Sequence, residues 1–128
     1  MKTKLLILSS ILLCVLVFFG CKPKQEVQNV DFKLHTPSMY LAENSTELKS
    51  PLEISFYASV APINYTEQDL STLITITPAI KGKWSWQNDD YLNFQPEENW
   101  NLNTKYKITF GPELFSKNVK VSSTSTSF

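Results

Sequence analysis

Apolar and polar residues alternate in short runs along most of the chain, and turn-forming residues separate the runs. Alternation with a period of two places successive side chains on opposite faces of a β-strand. The pattern predicts an all-β fold, an antiparallel sandwich of the Ig-like type, with few or no helices. The predicted strands cover Val30–His35, Leu52–Tyr57, Leu73–Thr77, Lys83–Gln87, Tyr91–Gln95, Lys105–Phe110 and, as a polar edge strand, Lys117–Phe128.

Local signals add detail to this sandwich. Asn88–Asp90 predicts a hairpin turn between the strand that carries Trp84 and the next strand. One short helical turn is predicted at Thr66–Leu70, with Thr66 as its N-cap and Asp69 reaching back toward it. Leu102–Tyr106 looks like the corner of Ig-like sandwiches in which a Tyr hydroxyl bonds to upstream backbone.

The first twenty residues have the layout of an export signal. Lys2 and Lys4 precede an apolar stretch from Leu5 to Phe19, interrupted only by two serines. This is the order of a secretory signal peptide. A spanning helix needs about 20 apolar residues, and the stretch falls short of that length. Residues 1–20 are therefore predicted to be cleaved, although an uncleaved anchor is a possible alternative.

The end of this stretch resembles the bacterial lipobox, because Gly20 and Cys21 follow Phe18 and Phe19. In proteins with a lipobox, the Cys sulfur receives a diacylglyceryl group and the chain is cut just before it. The resemblance predicts Cys21 as the site of lipid attachment. Cys14 would leave with the signal, so a lipidated Cys21 would leave no unpaired thiol in the mature chain. An ordinary cleaved signal is the other alternative.

Lipidation would divide the chain into three parts and set its location. Residues 1–20 would be the lipoprotein signal peptide, 21–29 a lipidated tether and 30–128 the sandwich domain. The attached acyl chains would make the membrane a partner of the protein. We expect a bacterial cell-envelope protein, anchored to the inner or the outer membrane and facing the periplasm or the cell surface.

Composition excludes several functional classes. The chain has 12 basic residues, all of them Lys, and 12 acidic residues, so it lacks the basic excess of a nucleic-acid-binding protein. One His and two Cys are too few for a usual four-ligand zinc site. Three Gly leave no glycine-rich phosphate loop. We therefore expect no metal, no cofactor and no nucleic acid.

Two kinds of residue could carry catalysis, and both have a simpler interpretation. The adjacent carboxylates Asp89 and Asp90, like the pair Glu97 and Glu98, lie in predicted turns, where exposed charges are ordinary. His35 has no neighbouring nucleophile in the sequence that it could activate. The expectation is a protein that is not an enzyme.

The tryptophans are the candidate binding residues. Trp84, Trp86 and Trp100 could stack on sugar rings or anchor a protein partner if their rings were exposed. Alternatively, Trp84 and Trp86, two residues apart on one strand, could fill the core. Because a buried indole N–H needs an acceptor, one of the two is expected near the rim of the core.

The order of several short motifs resembles the N-terminal domains of bacterial alpha-2-macroglobulin-like lipoproteins. The resemblance spans Ser50–Phe110 and includes Pro78–Trp86, which reads Pro-x-x-x-Gly-x-Trp-x-Trp, followed by Leu92–Pro96, which reads Leu-x-Phe-x-Pro. Proteins of this family trap proteases, in many cases through a Cys-x-Glu-Gln thioester. This sequence contains no Cys-x-Glu-Gln, and the family's proteins are many times longer.

The resemblance implies a structural role. The chain would be the membrane-anchored N-terminal module of an alpha-2-macroglobulin-like endopeptidase inhibitor, or a stand-alone relative of that module, and would be non-catalytic by itself. A protease would be a partner only of a longer chain. The alternative is a surface lipoprotein whose Ig-like domain binds glycan or protein through its tryptophans.

Overall fold

The computed structural model of the chain describes residues 25–40 and 46–128. Within these residues the backbone forms nine strands and a few short helical turns. The strands are β1 Gln28–Val30, β2 Phe32–His35, β3 Leu52–Phe56, β4 Ile74–Thr77, β5 Gly82–Asn88, β6 Tyr91–Pro96, β7 Lys107–Phe110, β8 Val119–Val121 and β9 Ser125–Ser127.

Two antiparallel sheets form the sandwich. One has four strands in the order β2-β3-β6-β5, and the other has three in the order β4-β7-β9. In β3, Leu52, Ile54 and Phe56 are buried, whereas Glu53 and Ser55 between them are partly exposed. This alternation confirms the predicted all-β fold and the phase of this strand.

The first strand departs from the antiparallel prediction, because β1 pairs with β8 in parallel. The chain passes from the β1-β8 sheet to the four-stranded sheet between Val30 and Asp31. The Val30 carbonyl accepts from the Ser122 amide, and the Asp31 carbonyl accepts from the Tyr57 amide. Since β1 begins at Gln28, the sheet starts two residues before the domain boundary predicted at residue 30.

The end of the chain also differs in detail from the prediction. The single edge strand predicted over Lys117–Phe128 is divided into β8 and β9. β8 pairs with β1, whereas β9 pairs with β7 in the three-stranded sheet. The division lets Val121 enter the core, where it is buried, while Ser125 and Ser127 follow as part of an edge strand.

The helix N-cap was predicted wrongly. The α-helical turn α1 covers Leu70–Leu73, and its N-cap is Asp69, whose Oδ1 accepts from the Ser71 amide at 3.1 Å. Thr66 lies inside a separate 3-10 turn, Tyr65–Glu67. Leu70 is the buried residue of this region, so the helical turn that places it in the core starts after Asp69. None of the helices in the described part of the chain has the length and apolar character needed to cross a bilayer.

Aromatic rings fill much of the core and form two groups, within each of which the rings contact one another. One group surrounds Phe56, whose ring centroid lies 5.6 Å from that of Phe115 and 6.1 Å from that of Trp86. The other surrounds Trp100, which packs edge-on against Tyr106 at 5.0 Å. The Tyr106 hydroxyl accepts from the Asn101 amide at 3.1 Å, which confirms the predicted tyrosine corner.

The two ends of the sandwich carry different parts of the chain. At one end, the Gln28 amide donates to the Asn118 carbonyl, the Val60 amide to Asp89 and the Ser116 amide to Val60. Residues 25–27 lead into β1 at this end. We call it the N-terminal end.

The opposite end is where the last strand finishes. β6 runs from the turn after Asp89 to Pro96, and the chain then reaches Trp100. The Phe128 amide and carbonyl bond to those of Tyr106, and the Phe128 ring lies 5.5 Å from the Trp100 ring. We call this the C-terminal end.

Candidate functional site

The predicted lipid-attachment residue, Cys21, lies outside the described residues, as does all of the predicted signal peptide. The structure therefore locates only the place where the predicted tether meets the domain. Gln25, Glu26 and Val27 are exposed and lead into β1 at the N-terminal end. A lipid on Cys21 would accordingly be joined to the N-terminal end of the sandwich.

Trp84 and Trp86 share β5 and differ in their surroundings. The Trp84 side chain is buried, with 9% of the residue exposed, and its ring lies 5.0 Å from that of Phe94. Trp86 is partly buried, and its indole nitrogen donates to Gln68 Oε1 at 3.1 Å. The prediction that one of the two lies near the rim of the core is confirmed for Trp86.

Trp100 is a core residue with a satisfied indole. Only 2% of it is exposed, and its indole nitrogen donates to the Ser50 carbonyl at 2.8 Å. Its backbone amide donates to the Leu48 carbonyl. These contacts fasten the segment after β6 to the segment before β3, which is a structural role.

The three tryptophans therefore do not form one exposed platform. Stacking on a sugar ring requires an accessible aromatic face, and the rings of Trp84 and Trp100 face the core. A binding role for the tryptophans would fall to Trp86 alone, and its partly buried ring contacts Tyr65 and packs against the core.

A small polar cluster lies on the outer face of the four-stranded sheet. His35 and Glu53 are opposite each other on β2 and β3, and His35 Nε2 lies 3.0 Å from Ser55 Oγ. The pKa of Tyr91 is raised above the ordinary value for tyrosine. Burial is the largest cause, followed by the hydrogen bond with Glu53 and by the negative charge of Glu53. Sequence reasoning missed the His35–Ser55 contact, because it joins residues 20 positions apart.

The paired carboxylates support turns. Asp89 accepts from the Ser59 hydroxyl at 2.6 Å, and Glu98 Oε1 accepts from the Lys81 amide at 2.6 Å. Each contact joins two different loops, which is a structural use of a carboxylate. Within residues 25–40 and 46–128, no group of three or more His, Cys, Asp or Glu is placed to hold a metal ion.

A shallow groove of about 620 Å³ opens at the C-terminal end. Pro37, Met39, Leu102 and Phe128 contribute apolar side chains to its walls, and Asn103 stands among them with a positive φ of 58°. Asn tolerates this left-handed conformation better than most residues. The last residue of the chain therefore lines this groove.

The N-terminal end carries exposed apolar side chains that the sequence analysis did not single out. Ile63 is fully exposed and Tyr57 is 71% exposed. Ile63 follows Pro62 and precedes Asn64 in a turn, so its loop position could have been predicted from these neighbours. Val27, at the start of the domain, is also exposed.

Two curated relatives resemble most of the chain. An alpha-2-macroglobulin of Pasteurella multocida (strain Pm70) is 31% identical over 117 residues, which are 90% of this chain. An alpha-2-macroglobulin homolog of Yersinia pestis is 35% identical over 79 residues, which are 61% of this chain. The matched stretches are 6% and 4% of these two relatives, so the chain corresponds to a small part of each.

Among solved structures, an L,D-transpeptidase of Mycobacterium tuberculosis H37Rv aligns with 59% of this chain and 34% of its own. The identity is 21% and the TM-score is 0.38, and a likeness at this level supports no functional conclusion.

The family model for the bacterial Ig domain matches residues 26–111, which include the first seven strands. These residues contain the tyrosine corner and most of the buried aromatic core. The chain is homologous to bacterial alpha-2-macroglobulins, and it belongs to the bacterial Ig domain family.

Proposed function

We propose that this protein is the lipid-anchored N-terminal module of a bacterial alpha-2-macroglobulin-like endopeptidase inhibitor, or a stand-alone relative of that module. Its role is structural: it holds the inhibitory part of the assembly at a membrane of the cell envelope. By itself the module is non-catalytic.

The observation that carries this proposal is the homology to alpha-2-macroglobulins over 90% of the chain. It extends over the sandwich, well beyond a single motif. Because the chain matches only a few per cent of these relatives, protease inhibition is assigned to the longer assembly.

The titratable side chains also fit a structural role. Asp69, Asp89 and Glu98 accept hydrogen bonds that cap a helical turn or join loops. His35 and Ser55 are in contact on an open sheet face, and Ser55 is only partly buried. A nucleophile would need a preorganised oxyanion site beside such a pair, and these residues lie on a regular strand face.

Fractionation of the native cell envelope tests the proposal. An antibody against the sandwich is expected to detect the protein in the membrane fraction. The Cys21→Ser protein, with residues 1–20 replaced by an ordinary cleavable secretory signal, is expected in the soluble fraction. A band much larger than the 14.6 kDa of this chain would support the module of a longer protein. A band somewhat below 14.6 kDa, as removal of residues 1–20 requires, would support the stand-alone relative. Membrane retention of the Cys21→Ser protein after its secretory signal has been cleaved would refute the lipid anchor.

A further inference from the structure

We propose that the N-terminal end of the sandwich rests on the bilayer surface, with Ile63 and Tyr57 in contact with lipid. This inference depends on the proposed lipid anchor and adds an orientation to it. The occupant of this surface is the membrane that holds the acyl chains of Cys21.

The first argument is the location of the exposed apolar residues. The Tyr57 amide donates to the carbonyl of Asp31, the residue that follows β1. Ile63 lies in the next loop, which is fastened to the same end through the bonds of Val60 and Ala61 with Asp89. Single exposed apolar residues are common on soluble proteins, but these two lie at the end of the sandwich that the predicted tether joins.

The second argument is the length of the tether. Cys21 and Gln28, the first residue of β1, are separated by seven residue steps, which span at most about 25 Å. Acyl chains on Cys21 would therefore hold the N-terminal end close to the headgroups. At such a short distance, the effective concentration of lipid is high enough for a weak contact to be populated.

The third argument is chemical. Tyr is favoured at the boundary between headgroups and acyl chains, because its ring is apolar and its hydroxyl is polar. Ile63 is a purely apolar side chain, fully exposed on a loop at the same end. Asp31 and Asp89 also lie at this end and would be repelled by anionic lipid. We therefore assign the contact to apolar burial and expect it on membranes without net charge.

Site-directed spin labelling of the full-length, lipidated protein tests this orientation. Ile63→Cys provides a labelling site at the N-terminal end, and Leu102→Cys provides the matched control, an exposed apolar residue at the C-terminal end. Neither substitution removes a core side chain. Under the proposed processing, Cys14 is removed and Cys21 is acylated, so each variant has a single reactive thiol.

The labelled proteins are reconstituted in vesicles of phosphatidylcholine and phosphatidylethanolamine. Flotation with the vesicles reports the anchor, and label accessibility to oxygen and to a polar nickel complex reports immersion. We expect the oxygen-to-nickel accessibility ratio to be several-fold higher at residue 63 than at residue 102. Tyr57→Asn in the Ile63→Cys protein is expected to lower that ratio.

Each other result contradicts the proposal in a distinguishable way. If the protein floats with the vesicles but both labels are exposed to water, the docking is overturned and the lipid anchor is retained. Equal immersion of both labels would overturn the end-on orientation. Failure to float would refute the lipid anchor itself, and the docking with it.

Discussion

At the residue scale, Phe56 is the most sensitive test of the strand assignment. Its side chain is 4% exposed and contacts the rings of Phe110 and Phe115. Phe56→Ala removes these contacts and leaves a cavity, so we expect a loss of about 3–5 kcal/mol in the free energy of unfolding. Urea denaturation followed by tryptophan fluorescence measures this loss.

The neighbouring residue supplies the control. Tyr57 is largely exposed, so Tyr57→Ala is expected to change the stability by no more than about 0.5 kcal/mol. Equal losses for the two variants would mean that the inward and outward faces of β3 had been assigned wrongly.

Asp69 is the residue whose titration reports a local hydrogen-bond pattern. The Ser71 hydroxyl, and then the Ser71 amide, donate to its carboxylate and lower its pKa from the usual 3.8. The bonds stabilise the charged form, so their contribution to folding is present above the unfolded pKa. It is lost as the pH falls through the lower, folded value.

NMR titration of the Asp69 side chain is expected to show this lowered pKa in the wild type. Ser71→Ala removes the hydroxyl donor and should move the pKa back toward 3.8, while the amide bond keeps part of the shift. An identical titration curve in both proteins would exclude the hydroxyl as the principal cause.

At the scale of the elements, Gly82 sets how closely β5 approaches β6. A Cβ atom at this position would lie 2.6 Å from the Gln95 carbonyl oxygen and would also overlap the Phe94 ring. Gly82→Ala should therefore displace the start of β5 and lower the stability by about 1–3 kcal/mol. Thermal or urea unfolding measures the change.

Gly111 is the matched control for this substitution. A Cβ there would lie 3.1 Å from the Leu73 carbonyl oxygen, a tight contact that a small shift relieves. We expect Gly111→Ala to remain within about 1 kcal/mol of the wild type, since the reduced freedom of the unfolded chain offsets the contact. A smaller loss at Gly82 than at Gly111 would contradict the packing described for β5.

The strands were predictable from the sequence because one buried face gives each of them a period of two. β3 and β7 have this pattern without interruption. The parallel pairing of β1 with β8 was not predictable, because it depends on residues about 90 positions apart in the chain. The helix start at Asp69 was missed for a related reason: the buried position of Leu70 is a tertiary property.

The tryptophans show the same limit at the candidate site. Their spacing on β5 was compatible with both a core and a binding surface. The acceptor for Trp100 is the Ser50 carbonyl, 50 residues away, and no local pattern identifies such a partner. The burial of Trp84 and Trp100 therefore became evident only from the three-dimensional structure.

At the scale of the whole molecule, the two ends of the sandwich differ in their exposed residues. Tyr57 and Ile63 are exposed at the N-terminal end, which the predicted tether joins, and an apolar groove opens at the C-terminal end. The sequence pattern predicted the sandwich and the tether, but the exposed residues at each end depend on how the loops fold.

The central claim is that the mature protein begins at an acylated Cys21, and mass spectrometry of its N-terminal peptide tests that claim most directly. The account predicts a peptide that starts at Cys21 and carries a diacylglyceryl thioether. A mature N-terminus elsewhere, or an unmodified Cys21 thiol in the protein purified from its own membranes, would contradict it.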